Sequence, residues 1–478
     1  MDPNLGSNHF LSLPRPDVHV GTPAGVPDTT TLAAHDFDVD TRTGFMPPQP
    51  PIARLPPAWE LWESTLDEAK RLQLKLGDTP GLPEDELLKS ETWRSHVRNL
   101  PILPITDLKR SELYLRRAHH VLGWILHFYV HSLPPDDPVI IPPPITLPVL
   151  QVSAELQLPP VLTYSDDVLY NWALKTPLTE QNGVPALDNL RCLTLFTETK
   201  DEEEFYLTSS RIELKGVEAL ELMQVIMDEM FVGDDIAIRR ITEYLMSLSA
   251  VIRELRTLLL AVKEHCDPDV FYHLIRPWFR GVDSDPNKRP WVFAGIEADP
   301  SLQEPTELSG PSAGQSSLVH ALDIFLGVDQ YSHASSVTGS SSSSSASGTA
   351  KSAFLDRMQM YMPRHHRTFL NHLSANPRPL RNFVSASRDT GLQEAYNTAV
   401  LSLKAFRDAH MIIVALYIIG PSSKPAPGIA AYAASAVRPD IKKDYGDAEP
   451  LKGTGGTELV KFLKDVRDRT AGAVLPAA

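Results

Sequence analysis

The stretch Leu401-Ser402-Leu403-Lys404-Ala405-Phe406-Arg407-Asp408-Ala409-His410-Met411-Ile412-Ile413-Val414 decides how the chain is read. Its apolar residues recur at helical spacing, and the pattern predicts a helix from Gly391 to Ile419. Thr390-x-x-Gln393 is a candidate capping box at its start, and Gly420-Pro421 supplies the stop. The turns after His410 are apolar all round, so this part of the helix is expected to be buried. A neutral imidazole there suits axial ligation of haem iron, because a rigid helix fixes its direction and an apolar shell excludes competing water. A core histidine bonded to a backbone carbonyl is the structural alternative, and composition does not separate the two. Arg407 and Asp408 bring charge into this helix and need partners, since an unpaired buried ion costs several kcal/mol. Asp323, on a helix expected over Ser316–Val328, is the mate expected for Arg407.

Outward from this segment the chain reads as helix after helix, at Lys215–Phe231, Asp234–His265 and Ala353–Tyr361, joined by turns rich in Gly, Pro or Asp. Strands do not alternate with helices, so a doubly wound sheet is not expected. Further upstream, Ser111–His131 predicts a strong helix stopped by Pro134-Pro135. Residues 1–57, with Met46-Pro47-Pro48-Gln49-Pro50-Pro51, are too proline-rich for long helices or central strands, and a surface wrap is expected of them. Ser335–Thr349 reads as a disordered loop, and residues 421–450 as a mobile loop beside the His410 helix.

Composition removes several functional classes. There are 45 Lys and Arg against 60 Asp and Glu, a formal charge of −15, so a nucleic-acid partner is not expected. Cys192 and Cys266 are too few for a disulfide framework or a four-thiolate metal site, and read as core residues in a reducing compartment. The N-terminus lacks the pattern of a secretory signal. The most apolar run, Met411–Ile419, falls far short of the roughly 20 residues of a membrane span. A cytoplasmic protein without membrane association is expected.

Other stretches carry chemistry only in combination. Ser312-Ala313-Gly314-Gln315 fits a capping box, and its small residues also permit a flat ligand to approach the backbone. Phe271-Tyr272-His273-Leu274-Ile275-Arg276 sets an aromatic pair and an arginine about one turn apart, and arginine is the natural clamp for an amino-acid carboxylate. Phe205-Tyr206-Leu207-Thr208-Ser209 reads as a short strand or a helix start. Lys452-Gly453-Thr454-Gly455-Gly456-Thr457 offers backbone N–H groups to an anion but lacks the ending of a nucleotide P-loop. His127 and His131 stand at i, i+4 without a third ligand, and His365-His366 reads as a polar helix start.

In their order and wording these stretches resemble the indoleamine 2,3-dioxygenase family. The resemblance also runs through Gly44-Phe45-Met46-Pro47, Leu158-Pro159-Pro160-Val161-Leu162-Thr163-Tyr164-Ser165-Asp166, Asn171-Trp172 and Tyr361-Met362-Pro363-x-x-His366-Arg367-x-Phe369-Leu370. It implies a mainly α fold with a smaller, mostly helical N-terminal domain (1–196) and a large helical domain (197–478), haem b lying between them. His410 then falls at the proximal iron ligand, with Asp323 and Arg407 the ion pair behind it. Tyr164, Asp167, Phe205, Ser209, Phe271 and Arg276 fall at the distal substrate pocket. Among these, Ser209, Phe271 and Arg276 lie nearest the chemistry, and Arg276 holds the substrate carboxylate. Ser312, Ala313 and Thr454 correspond to contacts with the substrate's far side and the haem propionates. The implied reaction inserts O2 across the indole C2–C3 bond of L-tryptophan to give N-formylkynurenine, in a monomer kept ferrous by an electron donor. Asp167 in place of a cysteine and Pro311 in place of a glycine depart from the best-known members. They leave open a protein of the same fold that acts on another indole, or one that serves as a haem sensor or scaffold.

Overall fold

The computed structural model describes residues 37–177, 184–328, 357–423 and 459–476. Twelve helices longer than one turn carry the described fold: α1 (Glu60–Leu72), α2 (Glu84–Arg98), α3 (Glu112–His131), α4 (Pro143–Leu156), α5 (Lys200–Lys215), α6 (Val217–Val232), α7 (Asp235–His265), α8 (Ser317–Phe325), α9 (Arg364–Ser374), α10 (Leu380–Ala386), α11 (Thr390–Val414) and α12 (Leu459–Gly472). The strands described form two pairs of three residues per strand. β1 (Val139–Ile141) runs parallel to β4 (Trp291–Phe293), and β2 (Trp172–Leu174) antiparallel to β3 (Leu190–Cys192). The mainly helical expectation holds, and no described helix is long and apolar enough to cross a membrane.

The helix ends follow local chemistry. The Asp234 carboxylate accepts from the N–H groups of Ile236 and Ala237 and opens α7, while Gly233 closes α6 in the left-handed region at φ +68°. α11 begins one residue away from the expected box. Asp389, not Thr390, is its cap and accepts from Leu392 N–H at 2.8 Å, and the Gln393 amide turns back to Ser387 O. A carboxylate in the N-cap position outcompetes the hydroxyl beside it for the orphan donors, which leaves Thr390 free to be the first helical residue.

Two apolar clusters fill the interior. One gathers around α3 and α4 with Trp62, Trp93, Trp124, Phe196 and Trp278, the last two stacked at 5.2 Å. The other lies between α7 and α11, through Leu245, Leu248, Ile252, Ala399 and Leu403. Within it the Ser249 and Ser402 hydroxyls bond each other at 2.8 Å, and Ser249 Oγ also accepts from Arg253 at 2.9 Å, which keeps these buried polar groups satisfied.

The expected surface wrap of residues 1–57 is corrected for its described part. Phe45 and Met46 are core residues, because the Asp40–Gly44 turn, with Gly44 at φ +65°, directs the chain inward. His366 is likewise fully buried and packs edge-on against Phe45 at 4.9 Å, so the helix start at His365-His366 is polar only in part. Cys192 and Cys266 are buried and free. The readings of 335–349 and 424–450 lie outside the described residues.

Candidate active site

α11 supplies His410 from its last turns. His410 is only partly buried as a residue, while its ring lies deep enough for burial to oppose its charge. Among the described residues it makes no hydrogen bond. Burial, and then the Arg407 guanidinium, lower its pKa to about 4, so at neutral pH the imidazole carries a free lone pair. No group of three or more His, Cys, Asp or Glu is gathered as metal ligands among the described residues. One neutral, unengaged imidazole is the single donor that iron already held in a porphyrin would need from the protein, and the fit to haem is good on those grounds.

The helix behind this ring is braced from two sides. Arg407 bonds both oxygens of Asp323 on α8 and also reaches the Thr470 hydroxyl of α12. After Val414 the helix widens into a π turn, Ala415–Ile419, and Tyr417 donates from there to Cys266 O at 2.6 Å. The Tyr417 ring meets Phe271 edge-on at 5.7 Å, which links the His410 helix to the aromatic residues named from the sequence.

Those residues converge. Phe205, on α5, lies 4.4 Å from Phe271, which sits in a second π turn, Phe271–Ile275. Ser209 stands one turn along α5, half-buried, its hydroxyl without a hydrogen bond among the described residues. Arg276 is buried, with its guanidinium 5.6 Å from the Tyr272 ring, and burial lowers its pKa to about 10. It therefore stays charged at neutral pH.

Tyr164 is buried, and its hydroxyl donates to Glu213 Oε1 of α5 at 2.9 Å. Ser316, the cap of α8, donates to the same oxygen at 2.6 Å. Burial raises the Glu213 carboxyl to about 7, against the pull of these two hydrogen bonds. A third π turn, Ser165–Leu169, holds Asp166 and Asp167 with opposite fates. Asp166 is held below the ordinary carboxylate range, because although burial opposes its charge, His119 at 2.8 Å and the Thr163 donors outweigh it. Asp167 has no such partners, and burial, then repulsion from Asp166, push its carboxyl well up.

A family model described as indoleamine 2,3-dioxygenase matches residues 33–473. The chain belongs to the indoleamine 2,3-dioxygenase family. It is 30% identical to indoleamine 2,3-dioxygenase 1 of Rattus norvegicus over 442 residues, 92% of this chain and 95% of that protein. It is 33% identical to indoleamine 2,3-dioxygenase of Saccharomyces cerevisiae over 448 residues, 91% of this chain and 92% of that one. A 6-hydroxytryptophan 2,3-dioxygenase of Fusarium equiseti is 28% identical over 446 residues, 92% of this chain and 97% of that protein. As a member of the indoleamine 2,3-dioxygenase family, the chain is an oxidoreductase of the dioxygenase class.

Two sequence expectations about the dioxygenase site need correction or limit. Ser312 and Gln315 do not form a capping box on α8. Ser312 accepts from Gly314 N–H and caps only the short turn Ala313–Gln315, Ser316 caps α8, and the Gln315 side chain instead bonds Tyr164 N–H and Gly310 O. Ser312 is half-buried and Ala313 exposed in that loop, and Thr454 lies outside the described residues. Glu213 and the unpartnered Tyr206 hydroxyl escaped the sequence reading. A signal was present: Glu202, Tyr206, Ser209 and Glu213 repeat at helical spacing on one face of α5, an unusual set of polar groups for a stripe that is otherwise buried.

Proposed function

We propose that the chain inserts both atoms of O2 across the C2–C3 bond of the indole ring of L-tryptophan, giving N-formylkynurenine. The observation that carries this reading is the imidazole of His410, kept neutral by burial and without a hydrogen bond among the described residues, on a helix braced by the Asp323–Arg407 pair. In it, His410 would hold haem b through its imidazole, and Ser312 and Ala313 would contact the haem and the far side of the substrate; Thr454, expected to share that role, lies outside the described residues. The haem, when bound, supplies O2 binding and the redox chemistry of ring opening.

The chain's residues do the rest. Arg276 pairs with the substrate carboxylate through two parallel hydrogen bonds, a geometry its planar guanidinium favours. Phe205 and Phe271, whose rings touch at 4.4 Å, would form one aromatic wall against the indole edge and keep water out, which fixes the reacting bond and strengthens the electrostatics around it. Tyr164 closes the pocket, oriented by its bond to Glu213. Ser209 is a hydrogen-bond partner, not a proton acceptor, since a hydroxyl without a base beside it takes no proton. The domain division at 196/197, the monomeric state, the cytoplasmic location and the need for an electron donor belong to the same proposal.

The test is direct. Haem-loaded protein, given a reductant, air and L-tryptophan, is expected to form a product heavier than tryptophan by two oxygen atoms with the absorbance of N-formylkynurenine. Bound haem with no such product, under conditions where O2 binding is seen, contradicts the proposal and favours a sensor or scaffold.

A further inference from the structure

This inference rests on the reading of the pocket as an indole site and concerns which indole it takes. Asp167 is 5% exposed, and while its own backbone N–H acts on the carboxyl, Oδ1 is sealed from solvent without a hydrogen-bond partner among the described residues. Its neighbour Asp166 has drawn in the local donors, His119 and both donors of Thr163. On α5, which packs against the Asp167 turn, Tyr206 is 1% exposed and its hydroxyl is also buried without a partner among the described residues. The Tyr206 phenol lies within electrostatic reach of Glu202, one turn before it on α5, and of Asp167. The Tyr206 ring is set against Phe205 at 6.0 Å and Phe279 at 5.6 Å, inside the aromatic cluster of the candidate pocket.

A buried polar group left unmatched is costly, and two of them on packed elements beside the aromatic cluster call for a partner. A carboxyl and a phenol can each both donate and accept when protonated, so together they match a small hydroxyl group better than any hydrocarbon. We propose that Asp167 and Tyr206 form the polar end of the pocket and receive a hydroxyl on the six-membered ring of the substrate. They are then specificity residues that favour ring-hydroxylated tryptophan over tryptophan. Discrimination by a site built to bond a hydroxyl exceeds what an added methylene achieves, and a preference on the order of 10- to 100-fold is expected.

The experiment uses the haem-loaded full chain with tryptophan, 5-hydroxytryptophan and 6-hydroxytryptophan. Dissociation constants come from optical titration and kcat/KM from product formation, for the wild type, Asp167→Ala and Tyr206→Phe. The wild type is expected to favour at least one hydroxylated substrate about tenfold or more in both measures, with the ratio falling toward one in each variant. Tyr206→Phe removes a single oxygen atom and keeps the ring, so it carries the test if Asp167→Ala does not fold. Equal affinities for all three ligands, or a preference untouched by both variants, overturn the inference and leave the pair bridged by an internal water. If none of the three is cleaved but Tyr206→Phe abolishes a binding preference, the dioxygenase reading fails while this one stands.

Discussion

Arg407 bonds both carboxylate oxygens of Asp323 at 2.5 Å, one helical turn before His410. The pair joins α8 to α11, and the same guanidinium extends to α12, so three helices are fixed where the candidate iron ligand leaves the backbone. Both side chains are largely buried, at 10% and 14% exposed. Asp323→Ala strands the cation and is expected to cost about 3–5 kcal/mol in urea unfolding of the haem-free protein. The double change Asp323→Leu, Arg407→Met removes both charges and is expected to cost clearly less. Equal losses contradict a role as a compensated buried pair.

Glu213 gives stability a pH dependence of definite sign. Its carboxyl is raised by burial from 4.5 to about 7 in the folded state. Its contribution is therefore fully present below pH 4.5 and is lost as pH rises through 7, a change on the order of 3 kcal/mol. Glu213→Gln keeps an acceptor for Tyr164 and Ser316 without the titration. Urea midpoints between pH 5 and 8 are expected to fall less steeply with pH in this variant, and identical slopes contradict the assignment.

Arg276 and Ser209 separate binding from chemistry. Arg276→Lys keeps a charge but loses the planar fork, and a fall of about 100-fold in kcat/KM for tryptophan is expected, mostly in KM. Ser209→Ala is expected to stay within about tenfold of the wild type, since the hydroxyl transfers no proton. Steady-state kinetics on the two variants check both statements, and the opposite ranking contradicts the proposed roles.

The loop that carries Ser312 depends on a close backbone crossing. A Cβ on Gly310 would lie 1.8 Å from Phe279 O, and one on Gly281 2.1 Å from Leu308 O. Neither backbone can give way without breaking the Val282–Leu308 hydrogen bond. Gly310→Ala is expected to destabilise by about 3 kcal/mol in thermal or urea unfolding, and a change under 1 kcal/mol contradicts the crossing.

Periodicity made the long helices legible, because α3, α7 and α11 each bury an apolar face against another helix and announce it at 3.6-residue spacing. The Asp323–Arg407 pair was legible for a related reason: a buried charge requires a mate, and few acids stood on neighbouring helices. The three π turns at Ser165–Leu169, Phe271–Ile275 and Ala415–Ile419 left no trace in that spacing. A single widened turn shifts side chains by one position without changing composition, yet all three lie beside candidate site residues. Glu213 was hidden because its partners, Ser316 and Tyr164, come from distant segments, and Tyr206 because the Asp167 turn that packs against its helix lies far away in sequence. Local sequence carries no record of such meetings, whereas Asp389 was missed only because a hydroxyl pattern beside it matched a capping box.

The central claim is that the imidazole of His410 carries the iron. It is tested most directly by the optical spectra of the haem-loaded wild type and His410→Ala, ferric, ferrous and with carbon monoxide, with and without added imidazole. The account predicts a histidine-ligated haem in the wild type, loss of haem or of that spectrum in the variant, and its partial return with free imidazole. Unaltered spectra and unchanged haem retention in His410→Ala would contradict it.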